Sequence, residues 1–178
     1  MSHIDDIISG ESGIGVTGGS GGIPSSFNAE EAENDREIEM QFAVVCFEQA
    51  EAYMNLIKKV RPSTLKRLTK WDDEILEAFE KAFPELQSND RLKKLDEEEM
   101  KSKDGKRRWR EFMMPFEKRI DDYNFGTLIR ADCSGDYTED NSIFGYRTQF
   151  YAIEIARNRR GLNDVVYEQA QAQAEAAT

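Results

Sequence analysis

Apolar positions through the middle of the chain recur every three or four residues, the spacing that gathers them on one side of a helix. Ile38, Phe42, Val45, Tyr53, Leu56 and Val60 follow it first, with Met40, Val44 and Phe47 widening the stripe. A helix so apolar through its middle is expected at the centre of a bundle. Asn34 followed by Glu37 has the form of a capping box at its start. Arg61-Pro62 ends it, since proline restricts the residue before it. A second helix is predicted from about Asp72, with Ile75, Leu76, Phe79 and Phe83 on one face and Pro84 as its stop. The charged run "QSNDRLKKLDEEEMKSKDGK" reads as a loop with a short helix. A third long helix is predicted over about 105–123, placing Trp109, Phe112, Met113, Phe116, Ile120 and Tyr123 on one stripe. Pro115 inside it predicts a kink or a break.

Beyond that helix Gly126 is expected to close it in a left-handed cap, and Thr127 to Ala131 form one extended segment. "YRTQFYAIEIARNRRG" is again helical, with Tyr146, Phe150 and Ile153 on its stripe and Gly161 as its close. The Ala/Gln-rich residues 165–178 continue as a fraying helical tail. Residues 1–34 hold seven of the twelve glycines and few core-forming side chains, so they read as a disordered tail. Within them "GIGVTG" matches G-x-G-x-x-G in form, but no strand precedes it and no helix follows, so the dinucleotide-site context is missing. The fold class is mostly α: a compact helical domain over 35–164 with one short extended segment, flanked by a disordered tail and a frayed one.

Composition refines this picture at the ends. The net charge is −11, and residues 1–34 carry six acids with no Lys or Arg. Such termini favour solubility and repel nucleic acid. No apolar run reaches membrane-spanning length, so no membrane association is expected. The two cysteines, Cys46 and Cys133, do not make a disulfide framework, and a cytoplasmic (or nuclear) protein is expected.

The single histidine, His3, lies in the tail, which removes imidazole catalysis and histidine-ligated zinc from the folded part. No phosphate-binding loop is present. Cys133, flanked by Asp132 and Asp136, is expected to be a weak nucleophile because their charge raises its pKa. The acids Asp132, Asp136, Glu139 and Asp140 could hold a hard cation or serve as an acid–base pair, but the spacing departs from the EF-hand loop, and "TEDN" also supplies turn and cap residues before a helix. "KSKDGKRRWR" sets Lys101, Lys103, Lys106, Arg107, Arg108 and Arg110 around Trp109, as a nucleic-acid patch would, although Trp109 also fits the core stripe. Arg157 shares a side with Ile153 and Phe150 and is expected to clasp an acid of the 132–140 loop. No catalytic residue, metal or cofactor is assigned.

"DYNFGTLIRADCSGDYTEDNSIFGYRTQFYAIEIARNRRGLN" resembles the C-terminal signature of the polysaccharide biosynthesis domain-containing protein 1 family. The likeness extends through "EIEMQFAVVCFEQAEAYMNLI", "RLTKWDDEILEAFEKAF" and "KRRWREFMMPFEKRIDDYNFGTL", covering about residues 36–164. It implies a small chaperone, not an enzyme, that binds the nascent or nucleotide-free GTPase domain of translation elongation factor 1-alpha without using ATP. The same motif occurs in glucuronoxylan methyltransferases that bind S-adenosylmethionine. Asp132, Gly135, Tyr137, Ala156, Arg157, Asn158 and Arg159 match it, while the strand and glycine-rich turn of a cofactor-binding half are missing before it. Three readings of the motif follow. As a binding surface, Asp136, Tyr137, Glu139 and Asp140 face out toward a basic client, with Arg147, Arg157 and Asn158 completing the site. As an enzyme remnant, the same residues line a pocket for a cofactor or sugar. As architecture, Asn141 or Ser142 caps, Phe144 and Tyr146 pack, and Arg147 and Arg157 tie the loop down. The segment 101–110 is expected to hold the protein near ribosomal RNA without specific nucleic-acid recognition. No heptad or exposed apolar helix argues for a dimer, so a monomer is expected.

Overall fold

The helix that runs through the core is the one carrying the arginine-rich signature, not the apolar N-terminal one. The computed structural model describes residues 32–178, with side-chain burial from residue 40 onward. The glycine-rich segment expected to be disordered, GIGVTG included, lies outside the described residues. Seven helices and one two-stranded sheet make up what is described. In chain order they are α1 (Ala32–Lys59), α2 (Asp72–Ala82), α3 (Asn89–Lys93), α4 (Glu97–Lys101), α5 (Lys103–Met113), β1 (Gly126–Arg130), β2 (Ser142–Tyr146), α6 (Arg147–Arg159) and α7 (Asp164–Ala176). Among the described residues no helix is long and apolar enough to cross a membrane.

The main core is aromatic. Phe79 of α2 and Phe83, just past its end, meet Trp109 and Phe112 of α5, with Phe83 and Trp109 stacked at 4.1 Å between ring centroids. Trp109 is therefore core, as its place on the stripe foretold. The stripe continues through Met113, Phe116 and Ile120, but the helix does not. At Pro115 it gives way to a 3-10 turn, Met114–Phe116, because proline can neither donate to the preceding turn nor avoid its carbonyl. Of the two outcomes expected at Pro115, the break is the one found. The charged run before α5 folds into two short helices rather than one.

Helix α6 packs on α2, α3, α5 and both strands, and ten of its thirteen residues are buried. Gly161, at φ +71°, ends it. The amide of Leu162 donates to the Arg157 carbonyl and that of Gly161 to Asn158, the paired bonds of a glycine-closed helix end.

Helix α1, expected at the centre of a bundle, lies at the edge instead. Its buried line is Cys46, Ala50, Met54 and Ile57, with Phe42 and Tyr53 half-buried. Val45, Leu56 and Val60 of the expected stripe are exposed, as are Met40, Val44 and Phe47. Small residues decide this, because Cys46 and Ala50 let the helix approach the sheet closely. The helix also begins at Ala32, so Asn34 and Glu37 lie inside it rather than capping it.

The expected extended segment is β1, and its partner is the stretch from Ser142 to Tyr146, whose residues were expected to cap and pack. β1 and β2 pair antiparallel from Gly126↔Tyr146 to Arg130↔Ser142. Leu128 faces the small cluster under α1, and Ile129 faces the main core. Gly126 opens the strand rather than closing a helix. A Cβ there would stand 2.0 Å from the Phe42 ring, so the glycine exists for close approach. Gly126→Ala should cost about 1–3 kcal/mol by overpacking, read as a lower midpoint in urea with an unchanged slope. After α6 the domain continues past residue 164: Val166 packs with Cys46 and Met54, and Gln171 donates to the Lys58 carbonyl. The tail expected over 165–178 thus starts as part of the domain.

Candidate functional site

Strand β1 ends on Arg130, which points inward at the middle of α6. Both sides of that meeting are fully buried. The Arg130 guanidinium donates through Nη2 to Glu154 Oε2 at 3.2 Å and to Asn163 Oδ1 at 2.7 Å. Through Nη1 it donates to the carbonyls of Cys133 at 2.6 Å and Gly135 at 3.3 Å. Arg157, one turn past Glu154, donates to Glu154 Oε1 at 3.0 Å. Its remaining N–H groups reach the carbonyls of Leu92 (2.9 Å), Arg130 (2.9 Å), Ala131 (3.1 Å) and Lys93 (3.5 Å). Tyr53 of α1 donates its hydroxyl to Glu154 at 2.7 Å, and Asn163 Nδ2 donates to the same carboxylate at 2.7 Å.

Burial alone would push the Glu154 carboxyl upward. Arg130 and Arg157, with the Tyr53 and Asn163 hydrogen bonds, outweigh it and hold the group below its ordinary value, so it is ionised. Tyr53 moves the other way, raised by burial and by the Glu154 charge it donates to. Two guanidiniums, one carboxylate and their amide partners form a buried charge centre in which every guanidinium nitrogen but Arg130 Nε has a hydrogen-bond partner.

The loop from Asp132 to Asn141 is wrapped around this centre. Asn141 works as its internal brace: its amide donates to the carbonyls of Asp132 and Asp136, each at 3.0 Å, and its oxygen accepts from the Asp132 amide at 2.8 Å. Asp132 accepts from the Ser134 amide at 2.9 Å and from its hydroxyl at 2.7 Å. Although partial burial opposes it, these bonds keep the carboxyl low. The amides of Leu95 and Cys133 then stitch the loop start to the segment before α4.

The expected site residues separate into two groups. Asp136, Glu139 and Asp140 are exposed, and Asp136 pairs with Lys58 of α1 at 3.1 Å. Tyr137 is not part of that surface: it is 7% exposed, packed under α1 with Leu128 and Val166, its ring 5.8 Å from the Arg130 guanidinium. An aromatic ring beside a buried cation is held inward by both. Arg147 is largely covered and pairs with Asp122 at 3.3 Å. Arg157 and Asn158 are buried. Arg157 does not clasp the loop itself: its acid is Glu154 of its own helix, and it holds the carbonyls of Arg130 and Ala131 just before the loop and of Leu92 and Lys93 beside them, while the loop carbonyls of Cys133 and Gly135 are held by Arg130. Neither Asn141 nor Ser142 caps α6, which begins at Arg147, where the Tyr146 amide donates to Gln149 at 2.8 Å.

Three members of the centre, Arg130, Glu154 and Asn163, were missed. The available signal was Glu154 itself, an acid inside the apolar run "FYAIEIA" and three residues before Arg157. A charge on the buried side of a helix implies a partner.

Cys133 is a weak nucleophile as expected, for a different leading reason. Burial raises its thiol, and Arg157 and Arg130 offset only part of that, with Asp132 a small contributor. Cys46, also buried, is pushed up to about 11. Both thiols should react slowly with a disulfide reagent at pH 8 in the native protein and at once in denaturant; fast native labelling of either would contradict this placement. Among the described residues no group of three or more His, Cys, Asp or Glu could hold a metal ion.

A sequence model of the family described as "PBDC1 protein" matches residues 38–168. The Saccharomyces cerevisiae protein named "Protein PBDC1 homolog" is 54% identical over 145 residues, which are 82% of this chain and 99% of that one. The Homo sapiens "Protein PBDC1" is 49% identical over 142 residues, 80% of this chain and 59% of that protein. A solution NMR structure of a Saccharomyces cerevisiae protein matches with TM-score 0.70 and 55% identity, over 82% of this chain and 99% of that one.

Proposed function

The chain belongs to the PBDC1 protein family, and on that premise we propose that it is a client-specific chaperone, working without ATP, for the nascent or nucleotide-free GTPase domain of translation elongation factor 1-alpha. The reading is that of the family resemblance. The observation that supports it is the division of the signature motif into a sealed interior and an acidic exterior. Arg130, Glu154 and Arg157 are engaged with one another and with main chain, and Asn158 with Tyr53 and Asn163, while Asp136, Glu139 and Asp140 stand on a braced loop in solvent. A rigid acidic rim speeds encounter with a basic surface and suits recognition. The same division weighs against a methyl-transfer pocket, because Arg157 and Asn158, which such a cofactor site would need to present, already have internal partners. Cytoplasmic, monomeric action beside the ribosome completes the proposal. In the segment 101–110, Arg107 pairs with Asp104 and Glu111 and Arg108 with Glu85, so attraction to ribosomal RNA rests on Lys103 and Lys106.

A chaperone shifts folding only by binding the immature client more tightly than the finished one. Titration of the full-length protein against the isolated GTPase domain should give at least about tenfold tighter binding without nucleotide than with GTP, a difference of about 1.4 kcal/mol. Asp136→Lys, Glu139→Lys and Asp140→Lys together should slow association most at low salt. Equal affinity for the two client forms would sink the mechanism, and equal association rates would sink the acidic rim.

A further inference from the structure

Half of the large apolar side chains exposed among the described residues fall within one stretch of α1. Met40 is 69% exposed, Val44 55%, Val45 52% and Phe47 54%. Helical spacing sets Met40, Val44 and Phe47 on one line, and the opposite side of the same turns is fixed to the domain. Cys46 Sγ contacts the Gly126 carbonyl at 3.3 Å, and Phe42 lies against Gly126. This apolar line is therefore carried by an anchored helix. It is no part of the acidic loop: Lys58, which holds Asp136, lies fourteen residues along α1 from Val44, about 20 Å at helical rise.

The charges around the line select its occupant. Between Met40 and Ile57, α1 carries Glu48 and Glu51 and no Lys or Arg. Glu51 continues the Met40–Val44–Phe47 line, and Glu48 lies one turn beyond Val44. A second copy of this helix would bring acid toward acid. Residues 1–31 of the chain itself hold five acids and no Lys or Arg, so they meet the same repulsion. We infer that this surface docks a basic amphipathic helix from another protein, its apolar side on Met40, Val44 and Phe47 and its cations beside Glu48 and Glu51. The proposal does not depend on the client reading, since the two surfaces occupy different ends of α1.

The test uses full-length protein and two synthetic peptides with leucines at helical spacing, one filled with lysine and one with glutamate. Methyl NMR with a soluble paramagnetic agent reads the exposure of Met40, Val44 and Val45. The expected result is open methyls in the free protein at all concentrations, covered by the lysine peptide and not by the glutamate peptide. Phe47→Ser should weaken the lysine peptide at least about tenfold, and Glu48→Lys with Glu51→Lys should do so without removing apolar surface. Several results would overturn the proposal. They are equal binding of both peptides, full binding by both variants, methyls covered in the free protein at every concentration (the chain's own N-terminal segment), or methyls covered only at high concentration (a second copy).

Discussion

Glu154→Ala is expected to lower the unfolding free energy by about 3–5 kcal/mol, because removing one member of a buried ion group strands the rest. Here it strands two guanidiniums at once, Arg130 and Arg157, both without solvent access. At roughly 2–4 °C per kcal/mol for a chain of this size, the melting temperature should fall by about 10 °C. A fall of less than about 2 °C in calorimetry would mean that the centre is not held by its carboxylate. The pH dependence has a defined sign. The folded carboxyl lies below its unfolded value, so its contribution is complete above the unfolded value of about 4.3 and fades as pH falls through the folded one. Glu154→Gln lacks this contribution, and its stability should change less between neutral and acid pH than that of the parent. Replacing all three charges by apolar residues should not restore stability, unlike a simple buried triad. Arg157 serves four main-chain carbonyls and Arg130 two; an apolar side chain would take the guanidinium donor from those of Leu92, Arg130, Cys133 and Gly135, while those of Ala131 and Lys93 would keep the amides of Leu95 and Cys133.

The second large effect separates charge from shape. Arg157→Lys keeps the cation beside Glu154 but replaces a planar fork of donors with a single ammonium. Hydrogen bonds to charged groups are worth about 1.5–3 kcal/mol each, so a loss of at least about 2 kcal/mol is expected. The loosening should be local. The amides of Leu95 and Cys133, which join the carbonyls of Ala131 and Lys93, should exchange faster with solvent, while those in the middle of α2 hold their rates. If all amides accelerate alike, Arg157 acts on global stability and not as the local tie between the end of β1 and the segment before α4.

The sequence made the aromatic core legible because it is built on single stripes. Phe79, Trp109, Phe112 and Phe150 are large, helically spaced and buried where the spacing puts them. It failed at α1 because apolar residues surround that helix, and periodicity alone cannot say which side faces in. The choice was made by small residues, Cys46 and Ala50, and by the glycine of β1 that receives Phe42. It failed at β2 because "SIFGY" reads equally as cap and packing residues; only pairing with β1 makes it a strand. The motif was found and its family with it, but Tyr137 was turned outward. Its composition among acids suggested a surface, and the buried Arg130 that faces it is not adjacent in sequence.

The charge centre also bears on when the domain can form during its own synthesis. Arg130 leaves the ribosome well before its partners Glu154 and Asn163, and the carbonyls of Leu92 and Lys93 wait longer still for Arg157. A chain arrested at residue 150 would have to hold Arg130 in solvent, where β1 cannot seat beneath α1. Contacts this distant along the chain delay closure until the far end arrives. Completion of the centre therefore waits until Asn163 has emerged, and chains stalled or truncated before it should be degraded as unfolded protein rather than persist as partial domains.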